Sequence, residues 1–425
     1  MTFSHCVQTY PQRTAERIGS TVSRRASGRA RTLDTLVDSF KEYISTFSAN
    51  KAIMLIMVVF MIVGGIDKIR GNKKGYGERF DAGFEAMGTL AIAMVGMIAL
   101  VPVIKIVLGG VLGAFFSAIG CDPSIFAGLL LGMDLGGYPL AMELAETPAL
   151  GSFTGIVVAS AMGINVVFNI PVGMGIIEEK DRAYLASGML IGFATIPVGC
   201  ILGGLTMMGT GYDITFGQII MNTIPVAVVA VLIIIGLLLI QDKMMKGFIA
   251  FGKGVTVVVT CGTMLAVFQY LTGIRLPLFH VMVEENAEGV VPLLDALQVV
   301  GGIALVLLGA FPMVTFITKN FSGALQKVGA RVGLDETSVA GLIANLANNI
   351  PMFQMMKDMS PKGKIVNCAF TVSACFVLGD HLGFCANADQ GMILPMFVGK
   401  FLGGVTAVIL ALVLWQRFLP KEDRK

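Results

Sequence analysis

The sequence predicts an all-α integral membrane protein, a polytopic bundle of about 10–12 transmembrane helices, some of them broken. Of its 425 residues, 55% are apolar and 14% are charged, whereas a soluble domain carries about 25% charged residues. Apolar runs of membrane-spanning length recur from Lys51 to Trp415 and are continuous rather than alternating, which favours helices over a β-barrel. The 52 glycines and 15 prolines indicate closely packed and interrupted helices.

The two ends of the chain differ from the apolar middle. Residues 1–50 form an arm, of which residues 1–31 are rich in arginine, serine and threonine and lack a signal-peptide core. We predict a disordered cytoplasmic arm there, with a wrongly chosen start codon as the alternative. Residues 33–47 predict an amphipathic helix that lies on the membrane, binds a partner, or simply leads into the first span. Residues 419–425 form a charged tail.

The candidate spans lie between these ends, in a predicted transporter domain of residues 51–418. They cover residues 51–66, 85–107, 124–146, 152–177, 184–208, 217–240, 254–274, 293–317, 337–356, 364–379 and 391–416. The glycine-rich stretch 109–121 is too short to span as an ordinary helix, so we expect a re-entrant or interfacial segment.

Charge between the spans bears on topology. The basic segments 67–79, 241–253 and 318–333 are expected in the cytoplasm, and the acidic loop 284–288 outside. A simple count of eleven spans does not satisfy all of these assignments, so the sequence leaves the topology open.

The two halves of the chain match weakly, but in the same order. The matching segments are 85–102 with 295–312, 122–129 with 335–342, and 198–204 with 398–404. They predict two repeats, 52–208 and 254–416, with a linking span at 217–240. Internal repeats are typical of transporters, with the substrate site between them; shared Gly/Ala/Leu composition is the alternative. An uneven distribution of positive charge favours inverted repeats, although five spans on each side of one linker would make the repeats parallel.

Polar segments interrupt four of the spans beside glycine or proline. Helix breaks free backbone groups that must find partners, and ionisable groups at membrane depth mark ion or substrate paths. The candidate substrate-binding residues in these segments are Asp134, Asn165, Asn169, Asn345, Asn349, Asp380 and His381. Carboxylates among amides suit a small hydrogen-bonding cation such as an ammonium group. Tyr138, Phe168 and Phe384 are candidates for an aromatic lining with cation–π faces.

Each of these residues has a structural alternative. Asp134 and Asp380 could be acids paired within the bundle, and His381 could orient a helix instead of contacting a substrate or a proton. The asparagines could join helices and cap breaks.

Elsewhere the sequence indicates structural roles. Glu85 and Asp295 begin spans, where a helix N-terminus favours a carboxylate, and residues 178–182 are expected in a solvated loop. The small-residue pairs around Gly199 and Gly399 predict close helix contacts. The seven cysteines lack metal-site spacing, and no P-loop, HExxH or GxSxG motif occurs. We therefore predict no catalytic residue, no metal, no cofactor and no nucleic-acid partner.

At its polar breaks the chain resembles the ethanolamine permease (EutH) family of the ethanolamine utilisation pathway, from about residue 52 to 416. The motifs that carry the resemblance are Met133–Gly137, Ile170–Val172 with Gly175–Glu178, Asp181-Arg182 with Tyr184–Ala186, Ile196–Cys200, Asn349–Phe353 and Gly379–Phe384. The resemblance implies a bacterial inner-membrane protein that imports ethanolamine for the ammonia-lyase of a catabolic microcompartment. Members of the family begin close to their first span, so residues 1–50 look like an extension.

The leading hypothesis is a transporter or facilitator of ethanolamine, in its protonated form, and not an enzyme. His381 could couple uptake to protons, because imidazole titrates near neutral pH. The alternatives are a pore for the neutral amine, an intramembrane enzyme with Asp134 and Asp380 as an acid pair, and a membrane scaffold or sensor. The expected partners are ethanolamine and the lipid bilayer; a homo-oligomer, and pathway or microcompartment proteins bound to the arm, stay open.

Overall fold

The computed structural model describes residues 28–420 and 423, with side chains from residue 35 onward. Most of the arginine-rich arm and four residues of the charged tail therefore lie outside the described residues. The described part of the chain is built from helices and turns and contains no strand.

The α-helices of the described residues follow one another through short connections. They are α1 (Gly28–Ser45), α2 (Ala49–Ile69), α3 (Tyr76–Ala118), α4 (Ile125–Leu130), α5 (Tyr138–Leu144), α6 (Pro148–Ser152), α7 (Ile170–Ile176), α8 (Arg182–Phe193), α9 (Ile196–Gly209), α10 (Phe216–Leu239), α11 (Gln241–Thr272), α12 (Pro292–Arg331), α13 (Glu336–Ala347), α14 (Asn349–Met355), α15 (Pro361–Ala374), α16 (Asp380–Ala388) and α17 (Ile393–Leu414). Wider π-helical turns occur at Met133–Gly137, Phe153–Gly163 and Asn165–Asn169. Short 3-10 turns occur at Glu179–Asp181, His280–Met282, Met356–Asp358, Gln390–Met392 and Trp415–Phe418.

The chain is a multi-pass membrane protein, as predicted. Within the described residues, seven helical stretches are long and apolar enough to cross a bilayer, and the pair α8–α9, bent by 43°, makes an eighth if it is one span. The seven stretches are Ala49–Ile69, Tyr76–Ala118, Pro148–Ile176, Phe216–Leu239, Gln241–Thr272, Pro292–Arg331 and Gln390–Phe418. The predicted spans 124–146, 337–356 and 364–379 coincide with helices that break, so the sequence-based count of about 10–12 includes broken segments.

Three segments predicted to lie outside ordinary spans are helical instead. Most of the glycine-rich stretch 109–121 continues α3, residues 241–253 begin α11, and residues 318–331 complete α12. A helix tolerates glycine at a cost of about 1 kcal/mol each, and lysine, glutamine and alanine favour helix beyond the hydrocarbon layer. At 1.5 Å per residue, the 43 residues of α3 extend for about 64 Å, well beyond the hydrocarbon core of about 30 Å.

Helix α1 covers residues 33–45 of the predicted amphipathic segment 33–47. Its apolar residues stay exposed, with Phe40 at 63% and Ile44 at 66% of full accessibility. The stripe is therefore not covered by the rest of the described chain, as either a membrane-surface or a partner-binding helix would require.

Helices α3 and α12 pack against each other in opposite directions along the centre of the bundle. Lys319 of α12 lies 5.0 Å from the ring centroid of Tyr76 at one end. Gly83 packs on the backbone of Leu308 farther along, and the C-terminal half of α3 meets the start of α12 around one cavity. Each helix contains one internal proline, Pro102 or Pro312.

An aspartate precedes each of the two pairs of short helices that follow α3 and α12, and each accepts a hydrogen bond from a backbone N–H farther along the chain. Asp122 precedes α4 and accepts a hydrogen bond from the backbone N–H of Glu146 at 3.0 Å. Asp335 caps α13 and accepts the corresponding bond from the N–H of Ser360 at 3.0 Å. Burial raises the pKa of Asp335, but hydrogen bonds from Ser338 and Ser360 outweigh it and hold the pKa at about 2.

Helices α9 and α17 touch through glycines, which confirms the close contact that the small-residue pairs predict. A Cβ atom at Gly199 would lie 2.7 Å from the carbonyl oxygen of Gly399, and one at Gly399 would lie 2.8 Å from that of Gly199. The contact is reciprocal, since each glycine faces the backbone of the other. Only glycine permits this approach without a shift of the helices.

Candidate functional site

Asp134 and His381 face each other in the interior of the bundle. Asp134 lies in the π-helical turn between α4 and α5, and His381 lies in the first turn of α16. Their Oδ1 and Nε2 atoms are 3.6 Å apart, which is longer than a hydrogen bond. His381 is fully buried, and neither of its ring nitrogens nor Asp134 Oδ1 has a hydrogen-bond partner among the described residues. The pair therefore presents open donor and acceptor positions.

A glycine turn places the Asp134 carboxylate. Gly136 has φ +87° inside the break, a left-handed conformation that only glycine adopts without strain. A side chain there would also collide with Met97 of α3. The backbone N–H groups of Leu135 and Gly137 both donate to the carbonyl of Gly132, at 3.0 and 2.9 Å. The polar groups freed by the break are thus satisfied locally, and the carboxylate stays available.

The segment between α15 and α16 places His381. Phe376 has φ +62°, an unusual conformation for a bulky residue that is found where surrounding structure enforces it. Its N–H donates to the carbonyl of Asn345 at 2.9 Å, and that of Leu378 donates to Leu346 at 2.7 Å. The breaks of the two helix pairs α13–α14 and α15–α16 are therefore joined through their backbones.

Three of the predicted asparagines form one chain of hydrogen bonds. Asn349 Nδ2 donates to Asn169 Oδ1 at 2.6 Å, and Asn169 Nδ2 donates to Asn165 Oδ1 at 2.8 Å. Asn165 Nδ2 in turn donates to the carbonyl of Val372 at 2.8 Å. At the end of the chain, Asn349 Oδ1 is buried and has no described partner. The asparagines join α14 and α15 to the π-helical turns, and one acceptor is left for a ligand.

Two other predicted residues stand apart from this arrangement. Asn345 Oδ1 accepts a hydrogen bond from Thr371 Oγ1 at 2.8 Å, and its Nδ2 is buried without a hydrogen-bond partner among the described residues. Asp380 begins α16 and is half-buried. Its carboxylate makes no hydrogen bond or ion pair to any described residue, so it neighbours His381 in sequence without contacting it through a polar bond.

The predicted aromatic residues divide into two groups. Phe168 packs edge-on against Phe376 with ring centroids 5.6 Å apart, and Phe376 lies 5.3 Å from the imidazole of His381. Tyr138 and Phe384 form a second edge-on pair at 5.8 Å. The first group therefore borders the Asp134–His381 pair, whereas the second borders the cavity described next.

An open cavity of about 660 Å³ leads from the surface to Tyr138 and Phe384. Four of its lining residues are acids: Glu143, Glu284, Glu285 and Asp295. Among the described residues, Glu143 pairs with Lys105 at 2.5 Å and Glu284 with Arg275 at 3.5 Å, while Glu285 and Asp295 have no ion-pair partner. We call this cavity the acidic vestibule.

Sequence reasoning missed three features of this region. It treated Asp295 as an interfacial acid, although Asp295 lines the vestibule. It did not single out Phe376, because no sequence pattern predicts a positive φ at phenylalanine. It also passed over Lys400, which is 1% exposed; a lysine within the apolar run 391–416 was a signal that could have found it.

The expectation that residues 178–182 are solvated was wrong for Asp181. This aspartate is buried and forms an ion pair with Lys364 of α15 at 2.5 Å. The 3-10 turn Glu179–Asp181 directs it toward α15, and Lys364 also lies 5.2 Å from the ring of Tyr184. This buried ion pair joins the 3-10 turn before α8 to helix α15.

With this geometry in place, the chain can be compared with known proteins. The profile of the family described as "Ethanolamine utilisation protein, EutH" matches residues 49–414. The chain belongs to the EutH family. No solved structure matches it.

Several EutH-family relatives are similar over nearly their whole length. The "Probable ethanolamine permease EutH" of Listeria monocytogenes is 48% identical over 378 residues, which cover 89% of this chain and 97% of the relative. The protein of the same name in Escherichia coli is 45% identical over 401 residues, covering 88% and 96%. A Bacillus subtilis relative, "Uncharacterized protein YxeR", is 43% identical over 364 residues, covering 86% and 94%. The relatives named for an activity are thus permeases, a transporter class and not an enzyme class, as the sequence predicts.

Proposed function

We propose that this protein carries ethanolamine across the bacterial inner membrane, in the ammonium form, by way of Asp134 and His381. The observation that carries the proposal is the buried pair Asp134–His381 at a helix break, whose facing atoms lie 3.6 Å apart and have no hydrogen-bond partner in the described part of the chain. Its relatives named as probable ethanolamine permeases supply the substrate class.

The available groups match the two ends of ethanolamine. An ammonium group donates three hydrogen bonds and would find the Asp134 carboxylate and the face of Phe376 beside it. A hydroxyl group both donates and accepts, so it suits His381 and the free Asn349 Oδ1. The apolar wall of Phe168 and Phe376 suits the short carbon chain between these ends.

The acidic vestibule supports the cationic form of the substrate. Clefts lined by one sign of charge concentrate ions of the opposite sign, and the acids of the vestibule lead to the Tyr138–Phe384 pair. Alkyl ammonium groups stay protonated at neutral pH, as the lysine side chain does. An inside-negative potential then favours entry of one charge by about 2.3 kcal/mol per 100 mV, so uptake needs no coupling ion.

The test is uptake of labelled ethanolamine into proteoliposomes that contain the purified full chain. We expect uptake to rise when an inside-negative potential is imposed and to be lost in the Asp134→Asn variant. Uptake that follows the concentration of neutral amine across pH, and ignores the potential, would favour a neutral-amine pore. Folded protein that gives no uptake above empty liposomes would overturn the transport proposal and favour the scaffold or sensor alternative.

A further inference from the structure

A second cavity lies along helices α3 and α12, away from the acidic vestibule. It has a volume of about 600 Å³ and lies between the first turns of α3, the second half of α12 and the break between α13 and α14. Its wall is largely apolar, and its charged lining residues are Arg79 and Lys319. We call it the basic cavity. The two cavities therefore use different parts of the same two long helices.

The two cavities occupy corresponding places in the predicted repeats. Extended without gaps, the matches of 85–102 with 295–312 and of 122–129 with 335–342 relate lining residues of one cavity to lining residues of the other. The related pairs are Val101 with Phe311, Pro292 with Ala82, and Tyr138 with Pro351. Inverted repeats place such equivalent surfaces on opposite sides of the membrane.

The distance between the cavities fits this arrangement. Asp295 of the acidic vestibule and Thr315 of the basic cavity both lie on α12. At 1.5 Å per residue they are separated by about 30 Å along the helix, which equals the hydrocarbon thickness of a bilayer, about 30 Å. The cavities therefore lie toward opposite faces of the membrane.

The charges indicate which face is which. Arg79 and Lys319 come from the basic segments 67–79 and 318–333, which are expected in the cytoplasm, whereas the acidic vestibule includes part of the acidic loop 284–288, which is expected outside. Helix α2 ends within the first basic segment. The same assignment therefore places the start of α2 on the outer side, whereas the sequence predicts a cytoplasmic arm before it.

Helix α16 lies between the two cavities. Phe384 in its second turn lines the acidic vestibule. At its other end, a Cβ atom on Gly379 would lie 2.1 Å from the carbonyl oxygen of Ala347, which lines the basic cavity. Gly383 packs against Leu307, in the part of α12 between the cavities. The nine residues of α16 span about 13 Å, and the proposed site at the start of this helix lies between an outer and an inner cavity.

We propose that the basic cavity is the cytoplasmic vestibule through which the amine leaves, and that α16, with the contact between Gly379 and Ala347, is the barrier that separates it from the acidic vestibule. The acids of the outer cavity concentrate ammonium ions, whereas Arg79 and Lys319 repel them, so a released substrate is not held at the exit. This inference rests on the proposed function and deepens it, by assigning the release side of the path.

Single thiols test whether the cavity is open to water and from which side. Thr315→Cys and Ala344→Cys place a thiol in the basic cavity, and Gln298→Cys places one in the acidic vestibule. The parent protein carries serine in place of the exposed Cys261 and of Cys6, which lies outside the described residues. A membrane-impermeant methanethiosulfonate reagent is applied to right-side-out and to inside-out vesicles. Gln298→Cys should react only in the former, and the other two variants only in the latter.

Two comparisons separate water from lipid and charge from access. Val231→Cys, on the exposed face of α10, is the control for a thiol that faces lipid, and it should react from neither side. At Thr315→Cys an anionic sulfonate reagent should outpace a cationic trimethylammonium reagent by about tenfold, after correction for their rates with a free thiol in solution. The order should reverse at Gln298→Cys, and adding Arg79→Gln and Lys319→Gln should remove the preference at Thr315→Cys.

Attachment of the reagent inside the basic cavity should also block the path. Proteoliposomes with labelled Thr315→Cys should lose ethanolamine uptake, and those with Val231→Cys after the same treatment should keep it. Full uptake by the labelled Thr315→Cys protein would show that the cavity is not on the path and would overturn the inference.

The failure of this inference is distinct from that of the proposed function. Wild-type protein without ethanolamine uptake would overturn the transport proposal, whatever the pattern of labelling. Wild-type uptake, together with thiols at Thr315→Cys and Ala344→Cys that do not react from the cytoplasmic side while Gln298→Cys reacts from outside, would show a cavity filled by lipid. Transport would then stand and the basic cavity would have no part in release.

Discussion

Asp134, His381 and Asn349 share a property at the scale of single residues: each, like Asn345 and four other described residues, has a buried polar atom without a described partner. An unsatisfied buried polar group costs about 1–3 kcal/mol, and more when it is charged. A ligand that bonds to these atoms recovers that cost, so the same groups that weaken the empty fold strengthen binding. If stability were the only requirement, these polar atoms would be expected to have hydrogen-bond partners within the protein.

Asp134→Asn should abolish potential-driven uptake while the protein stays folded. The amide keeps the size of the side chain but removes the negative charge that holds the ammonium group, a loss of about 2–5 kcal/mol in binding. Uptake by proteoliposomes measures this, and Glu178→Gln, at an exposed acid away from the site, is the matched control. Equal uptake by the two variants would contradict the assignment of Asp134.

His381→Gln should flatten the pH profile of uptake if the imidazole exchanges a proton during transport, because glutamine does not titrate. The measurement is the initial rate of uptake at pH values from about 5.5 to 8, the range over which histidine titrates. An unchanged profile, with the rate reduced equally at every pH, would make His381 a hydrogen-bonding residue without a proton-coupling role.

The residues found and missed by sequence reasoning differ in a physical respect. Asp134 and His381 stand out because they are ionisable groups beside helix breakers in apolar sequence. Lys400 lies in an unbroken helix, and the group it bonds, the carbonyl of Ser160, comes from a distant part of the chain. Phe376 depends on a backbone conformation that is held by two hydrogen bonds, from its own N–H to Asn345 and from that of Leu378 to Leu346. In both cases the decisive contacts join segments that are distant in the sequence, so local sequence patterns do not reveal them.

At the scale of elements, the site depends on interrupted helices that satisfy their own backbone. An aspartate precedes each short helix pair and bonds a backbone N–H farther along the chain, and backbone hydrogen bonds join one break to another. Glycine and proline in the sequence predicted the interruptions at Asp134 and Asp380. The helical continuation of α3 was not predicted, because the glycine-rich stretch 109–121 was interpreted as a re-entrant or interfacial segment. That of α11 and α12 was not predicted, because basic charge was interpreted as a loop signal where helix propensity prevailed.

Asp335→Ala should lower stability by about 1 kcal/mol, the usual cost of losing a helix N-cap. The pKa of Asp335 is about 2, below its ordinary value of 3.8. Its ionised form therefore stabilises the wild-type protein above about pH 4, and this contribution is lost as the pH falls toward 2. Melting temperatures in detergent from pH 6 to pH 3 should converge for the wild type and Asp335→Asn. A constant difference between them would contradict this account.

Gly199→Ala should destabilise the protein by about 1–3 kcal/mol, because its Cβ would press on the carbonyl of Gly399 and force α9 and α17 apart. Gly113→Ala is the matched control, since a Cβ there meets no neighbouring atom within 4 Å and a mid-helix glycine-to-alanine change stabilises when space allows. Thermal unfolding of both purified variants is the measurement. Equal melting temperatures of the two variants would show that the contact between α9 and α17 accommodates the added Cβ atom without loss of stability.

At the scale of the whole molecule, the two repeats stay a prediction whose orientation the sequence leaves open, and three observations favour an inverted pair. Helices α3 and α12 run in opposite directions and each has an internal proline. Asp122 and Asp335 accept matching backbone hydrogen bonds, and α9 and α17 meet at reciprocal glycines. Helices that begin on opposite sides of the bundle are what inverted topology requires. The sequence matches between the two halves indicated which segments correspond to each other. Whether the repeats are inverted depends on the relative orientation of those segments in space.

The acidic vestibule should make uptake sensitive to salt. The double variant Glu285→Gln, Asp295→Asn removes the two vestibule acids that lack ion-pair partners, so it should slow uptake at low ionic strength and differ little from wild type above about 0.5 M salt, where exposed charges are screened. Initial rates across a salt series measure this. A reduction that persists at high salt would indicate a bound substrate at these acids and not attraction from a distance.

The reciprocal contact of Gly199 with Gly399 also bears on ancestry. In an inverted repeat these glycines descend from one position of a shorter chain that paired with a second copy of itself, and a two-fold axis brings such a position against its own twin. The next position in each half holds Cys200 or Lys400. A lysine at that place in both ancestral copies would have set two cations side by side in the membrane. A duplicated and fused gene lifts this restriction, because one copy can gain a charge while the other stays neutral.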